Sequence, residues 1–132
     1  MELKRVVVTG LGAVSPLGNS VEETWQKLLA GVSGAGPITH FDAQAFKTQF
    51  ACEVKNFNVA DYIDRKDARK MDLYCQYAVA AATQAVDDCG LDLEETDKNR
   101  VGVVFGVGIG GMHTFEEEVE NWTKTGATLG PK

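Results

Sequence analysis

An α/β fold is what this sequence predicts, and three observations carry the prediction. Two short apolar runs, Arg5-Val-Val-Val-Thr9 and Val101-Gly-Val-Val-Phe105, show no polar alternation. Strands buried on both faces of a parallel sheet read this way. Each run leads into a glycine-punctuated loop, Gly10 to Gly18 and Gly106 to Gly111. Helical periodicity fills the intervals between them, so the element order is βα…αβα, an α/β architecture with a parallel or mixed sheet.

The elements follow in chain order. Ser20 and Glu23 form a capping box before a helix over about 21–30, with Val21, Trp25, Leu28 and Leu29 at helical spacing and Gly31 as its C′ residue. Gly31, Gly34, Gly36 and Pro37 keep the next stretch irregular, and Thr48 to Val54 reads as a short edge strand. A second helix is predicted from Asp61 or Asp64 to about Cys89, stopped by Gly90. The five alanines between positions 78 and 85 thin its side-chain layer, so a neighbouring backbone can approach closely and the helix reads as buried and central. Residues 91–99 are acidic and exposed. A weaker helix over 112–124 carries Glu116, Glu117 and Glu118 near its start, where acids suit the helix dipole. Two buried strands and one short edge strand are few against the usual ~4–6 per sheet, so the chain reads as one segment, 1–132, of a larger and here incomplete fold.

Composition narrows the function classes. The chain has 132 residues, 44% hydrophobic and 24% charged, which is ordinary for a globular domain and excludes coiled-coil, collagen-like and disordered chains. No apolar stretch approaches the ~18 residues of a membrane span, and no export signal is evident. Cys52, Cys75 and Cys89 are odd in number and scattered, which points to reduced thiols and a cytoplasmic setting. The net charge of −6 lies wholly in residues 61–132 and argues against nucleic acid or an anionic membrane as partner. One segment opposes that trend: Arg65, Lys66, Arg69 and Lys70 place four bases within six positions.

Three motifs carry chemistry. Gly106-Val-Gly-Ile-Gly-Gly111 satisfies G-x-G-x-x-G, but too little chain follows for the second strand and ribose-binding acid of a dinucleotide site. Tight turns or close packing explain both glycine loops better, with a nucleotide-binding domain as the alternative. The basic cluster reads either as a solvated first helical turn or as a patch for a small acidic partner. Cations at a helix N-terminus oppose the dipole by roughly 0.3–1 kcal/mol each, so stability alone does not select them. His40 and His113 lack a nucleophile nearby and read as structural, and no Cys/His pair has metal-ligand spacing.

The residues themselves carry a resemblance. Val6-Val-Val-Thr-Gly-Leu-Gly-Ala-Val-Ser-Pro-Leu-Gly-Asn19 resembles the opening of the β-ketoacyl-acyl-carrier-protein synthases. The likeness continues in order through Trp25-Gln-Lys-Leu-Leu-Ala-Gly31, Ser33-Gly34, His40-Phe-Asp42, Arg65-Lys-Asp-Ala-Arg-Lys-Met-Asp72 and Gly106 to Gly111.

It implies the N-terminal part of a thiolase-like fold in α/β/α/β/α layers, a homodimer, and decarboxylative condensation of acyl-loaded with malonyl-loaded carrier protein in fatty acid elongation. The family works through an acyl-Cys intermediate assisted by two His and a Lys, and needs no cofactor or metal. Its Thr-Ala-Cys block falls later than residue 132, so no catalytic residue is assigned here, and the 132-residue chain is expected to be inactive alone. A non-catalytic chain-length partner subunit of polyketide synthesis is the other member of the same fold to weigh. By the same resemblance, Arg65, Lys66, Arg69 and Lys70 are expected to dock the acidic acyl carrier protein, and Gly108, Ile109 and Gly110 to flank the acyl-chain pocket.

Overall fold

The computed structural model describes residues 3–126. Four helices carry most of the regular structure: α1 (Val21–Leu29), α2 (Arg65–Ala68), α3 (Leu73–Cys89) and α4 (Met112–Thr125). Two short strands, β1 (Gly36–Pro37) and β2 (Phe50–Ala51), pair antiparallel with Gly36 opposite Ala51. Single 3-10 turns cover Val59–Asp61 and Lys98–Arg100. The described residues fall into two compact units. One holds residues through Asn58 together with Ala81–Gly90, and the other holds Val59–Ala80 together with the chain from Leu91.

In the first unit the caps are formed as the sequence predicts. The Glu23 amide donates to Ser20 Oγ at 3.2 Å, and the Glu23 carboxylate accepts from the Asn19 amide at 2.9 Å, so two open donors at the start of α1 are met. At its other end the Val32 amide donates to Lys27 O at 2.9 Å and the Gly31 amide to Leu28 O at 3.0 Å. This is a Schellman turn, and it needs the left-handed backbone of Gly31, φ 66°. The Lys27 ammonium donates to Leu17 O. Thr48 to Val54 contains β2, short and at an edge as expected, and the Ile38 amide extends its pairing by donating to Gln49 O at 3.1 Å.

The Ala-rich half of α3 accepts a close backbone neighbour, which is what its small residues permit. A Cβ at Gly12 would lie 1.9 Å from Ala81 O, and one at Gly10 would lie 2.2 Å from Ala85 O. The loop Gly10 to Gly18 therefore lies directly on the helix. Side chains of α3 then hold it there. The Leu11 amide donates to Asp88 Oδ2 at 2.8 Å, the Ala13 amide to Gln84 Oε1 at 3.1 Å, and Gln84 Nε2 donates to Asn19 O at 2.8 Å. The first glycine loop is thus a packing device, and its amides are committed to helix side chains rather than to a phosphate.

Three expectations are corrected. Residues 5–9 and 101–105 form no ladder; β1–β2 is the one strand pair among the described residues. Val6 is 90% exposed and Val104 94%. A buried strand exists only through partners on its edges, and an apolar run signals the need for cover without supplying it. The helix predicted from 61 or 64 to 89 is broken: α2 ends at Ala68, and α3 begins only at Leu73. Asp72 is the cause, because its carbonyl accepts from the Gln76 amide at 3.1 Å and its carboxylate from the Tyr74 amide at 3.4 Å, so it acts as a new N-cap. Finally, α3 is half-buried along most of its length, with Ala80 its one fully buried residue, rather than buried throughout.

Replacing Gly12 by Ala forces a Cβ against the Ala81 carbonyl. It is expected to destabilise the chain by about 1–3 kcal/mol, in the range of overpacked cores, as measured by chemical denaturation. An unchanged midpoint would mean that the loop does not rest on α3.

Candidate functional site

The site is built in the second unit. Val59–Asp61 turns the chain into α2, a single helical turn whose backbone brings the four bases to the surface. Arg65, Lys66, Arg69 and Lys70 are all exposed. Arg65 and Lys66 belong to α2, Arg69 is its C-cap, and Lys70 lies beyond it, so the four bases follow one short turn rather than the first turn of a long helix. The Lys70 ammonium donates to Asp67 Oδ1 at 3.1 Å. An exposed pair of this kind contributes about 0–1 kcal/mol. The dipole penalty read from the sequence shrinks as well, because one turn of helix has little macrodipole to oppose.

Behind the bases lies an apolar cavity of about 500 Å³, lined by Val59, Ala60, Ile63 and Ala68, with Arg65, Arg69 and Gln76 also on its wall. Ile63 and Ala68 are buried and form part of the small core of this unit. Gln76 Nε2 donates to Ala68 O and to Met71 O, both at 3.1 Å, which binds the segment carrying the bases onto α3.

The second glycine loop presents Ile109, 81% exposed, between Gly108 and Gly110. Gly110 has φ 78°, a left-handed backbone that favours glycine. The loop runs into α4, whose N-cap is Gly111, without a side chain to cap it. Sequence reasoning missed what stands there instead. Asp72 Oδ2 accepts from Thr114 Oγ1 at 2.5 Å, and a Cβ on Gly111 would lie 2.5 Å from that same Oδ2. An Asp directly before an apolar helical run was the available signal, since that is where N-caps occur. The Thr114 hydroxyl, above all, holds the Asp72 carboxyl below its ordinary range; burial works the other way, and the amides of Tyr74, Thr114 and Leu73 add to the lowering.

The two histidines each lie beside a carboxylate. His40 Nε2 lies 3.9 Å from Glu53 Oε1, and His113 Nε2 lies 3.4 Å from Glu117 Oε1 one turn along α4. Glu53 is held low chiefly by the Thr39 amide and hydroxyl, with His40 a lesser cause. The cysteines are free thiols. Among the described residues no group of three His, Cys, Asp or Glu converges to hold a metal, and no helix is long and apolar enough to cross a membrane.

Asp72 sets a pH dependence. Its native pKa is lowered relative to the unfolded carboxyl at about 3.9, so its contribution is complete above that value and is lost as pH falls through the native one. Asp72→Asn is expected to flatten the acid limb of stability below about pH 4, followed as melting temperature against pH. An unaltered limb would show that the carboxylate is not held as described.

Known proteins resemble this chain over most of its length. Residues 3–129 match the family model for the beta-ketoacyl synthase, N-terminal domain. Over 113 residues the chain is 52% identical to the 3-oxoacyl-[acyl-carrier-protein] synthase 2 of Staphylococcus aureus strain COL, covering 86% of this chain and 27% of that protein. Among solved structures, the ishigamide ketosynthase/chain length factor superposes with TM-score 0.80 at 38% identity, over 91% of this chain and 30% of that one. A type II PKS acyl-carrier protein in complex with its ketosynthase, bound to the hexaketide, matches with TM-score 0.74 at 29% identity, over 91% of this chain and 32% of that one. The chain thus spans about 27% of the length of the curated relative, and its α/β elements are those of the N-terminal part of a thiolase-like fold. It belongs to the beta-ketoacyl synthase family, as the N-terminal domain.

Proposed function

We propose that this chain is the N-terminal segment of a 3-oxoacyl-[acyl-carrier-protein] synthase, and that within it α2 and its flanks dock the carrier. The observation that supports this most is the exposed group of Arg65, Lys66, Arg69 and Lys70 on a chain of net charge −6. Four bases and one acid leave +3 over residues 65–70. A solved relative holds an acyl carrier protein against its ketosynthase, which supports the same class of partner here. Carrier proteins are small and acidic, so this patch would steer encounter and orientation more than hold the complex.

The parent condenses acyl-loaded with malonyl-loaded carrier protein through an acyl-Cys intermediate. In that reaction Gly108, Ile109 and Gly110 flank the acyl pocket. The glycines let backbone come close, and the exposed Ile109 side chain is available to meet an acyl tail. Cys52, Cys75 and Cys89 are not the nucleophile of that reaction, because none of them stands in the family's Thr-Ala-Cys context. The parent acts in the cytoplasm as a homodimer. The exposed apolar runs around Val6 and Val104 are then covered by the rest of that protein.

Two outcomes test the reading. In the parent synthase, reversing the charge of Lys66, Arg69 and Lys70 together is expected to weaken carrier binding by on the order of 1 kcal/mol per site at low salt. Turnover of small thioesters is expected to be spared. The loss should fade as added salt shortens the Debye length below ~8 Å. Calorimetry against acyl carrier protein measures it, and undiminished binding would leave the patch a solvated turn. The 132-residue chain alone is expected to show no condensation of acyl and malonyl carrier substrates, since the covalent step has no nucleophile; turnover by it would overturn the assignment.

A further inference from the structure

We propose that Asp72 is a positioning residue: one carboxylate that caps two helices and thereby sets the glycine loop 106–111 against the segment bearing the docking bases. Its role in acyl selection rests on the reading of that loop given above. The geometry begins at α3, where Asp72 serves as N-cap through the Gln76 and Tyr74 amides. Its other oxygen, Oδ2, reaches Thr114 Oγ1 at 2.5 Å in the first turn of α4.

The start of α4 has no cap of its own, and the reason is spatial. Gly111 makes no side-chain cap bond, and a Cβ there would meet Asp72 Oδ2 at 2.5 Å and Cγ at 2.9 Å. The Asp72 carboxylate occupies the room that a Ser or Asp at position 111 would use, and it does that residue's work from another helix. One negative charge then faces the positive ends of both α3 and α4.

The consequence follows from chain connectivity. Lys70 is two residues before Asp72, and Gln76 fastens Ala68 and Met71 to the same helix start. On the other side, Ile109 is two residues before Gly111, and the loop enters α4 through the Met112 amide donating to Gly110 O at 3.1 Å and the Phe115 amide donating to Gly111 O at 3.0 Å. The bases and the loop therefore share one anchor. Cutting the Thr114 side of that anchor frees the loop while Gln76 still holds the base-bearing segment, so it changes which acyl chains are accepted while leaving carrier affinity in place.

The test has two arms. In this chain, hydrogen exchange at the amides of Met112 and Phe115, which are bonded to Gly110 O and Gly111 O, is expected to quicken about tenfold in Thr114→Ala and in Asp72→Ala, as local opening becomes easier. Asp72→Asn keeps an acceptor oxygen for Thr114 and should largely restore protection. Thr114 is exposed and loses only its hydroxyl and one methyl, so its variant reports even where Asp72→Ala fails to fold. In the parent synthase, Thr114→Ala is expected to shift the ratio of kcat/KM for long over short acyl carriers by about tenfold, with carrier affinity unchanged. Lys66→Glu should instead lower kcat/KM for every length alike. Unchanged exchange in a folded Thr114→Ala overturns the shared anchor. Faster exchange with an unchanged length ratio in an active enzyme overturns its role in acyl selection. A wild-type parent without condensing activity removes the functional reading, and the role in selection with it, while the exchange result still decides whether the anchor exists.

Discussion

The contact on which the first unit depends is the approach of a backbone loop to the small-residue face of α3. Gly12 and Gly10 lie so near the carbonyls of Ala81 and Ala85 that neither position has room for a side chain. Helix side chains then do the hydrogen bonding that a strand partner would otherwise do. Asp88 and Gln84 take the amides of Leu11 and Ala13, so the polar groups of a tightly laid loop are satisfied without a ladder. Glycine in the loop and alanine in the helix are one requirement expressed twice, since each matters only because the other is there.

The second unit is organised by polar bonds more than by a core. Its buried apolar residues are few, Ile63, Ala68 and Ala80, and the connections that fix its path run through Gln76, Asp72 and Thr114. Such an arrangement suits a surface that must present charges and a loop in fixed positions, because directional bonds define geometry where dispersion alone does not. The break between α2 and α3 belongs to the same design. A continuous helix would have strung the four bases along its length. The break instead folds Arg69 and Lys70 into a turn beside the apolar cavity.

The break between α2 and α3 changes the electrostatic setting of the basic cluster. On a long helix the bases would oppose a macrodipole; on one turn they meet almost none, so their presence no longer implies a stability cost. What remains unusual is their density on an acidic chain, and the proposed carrier docking gives that density a purpose. The family match that frames this proposal covers nearly the whole chain.

Local signals were legible in the sequence wherever one or two residues suffice. Ser20 with Glu23, Gly31 and Gly90 mark helix ends because caps and left-handed turns are short-range geometry. The small face of α3 was visible in five alanines, and the blocks from Val6 to Gly111 carried the family. The sequence likewise showed which residues are basic and which loop is rich in glycine. Tertiary structure alone decided the rest. It placed Gly12 on Ala81 and put the Asp72 carboxylate where Gly111 lacks a side chain, across 39 positions of chain. It also left Val6 and Val104 exposed, because strand formation depends on partners and not on the run itself. Periodicity records which face a segment turns to its surroundings; what occupies that face is settled only when distant parts of the chain meet.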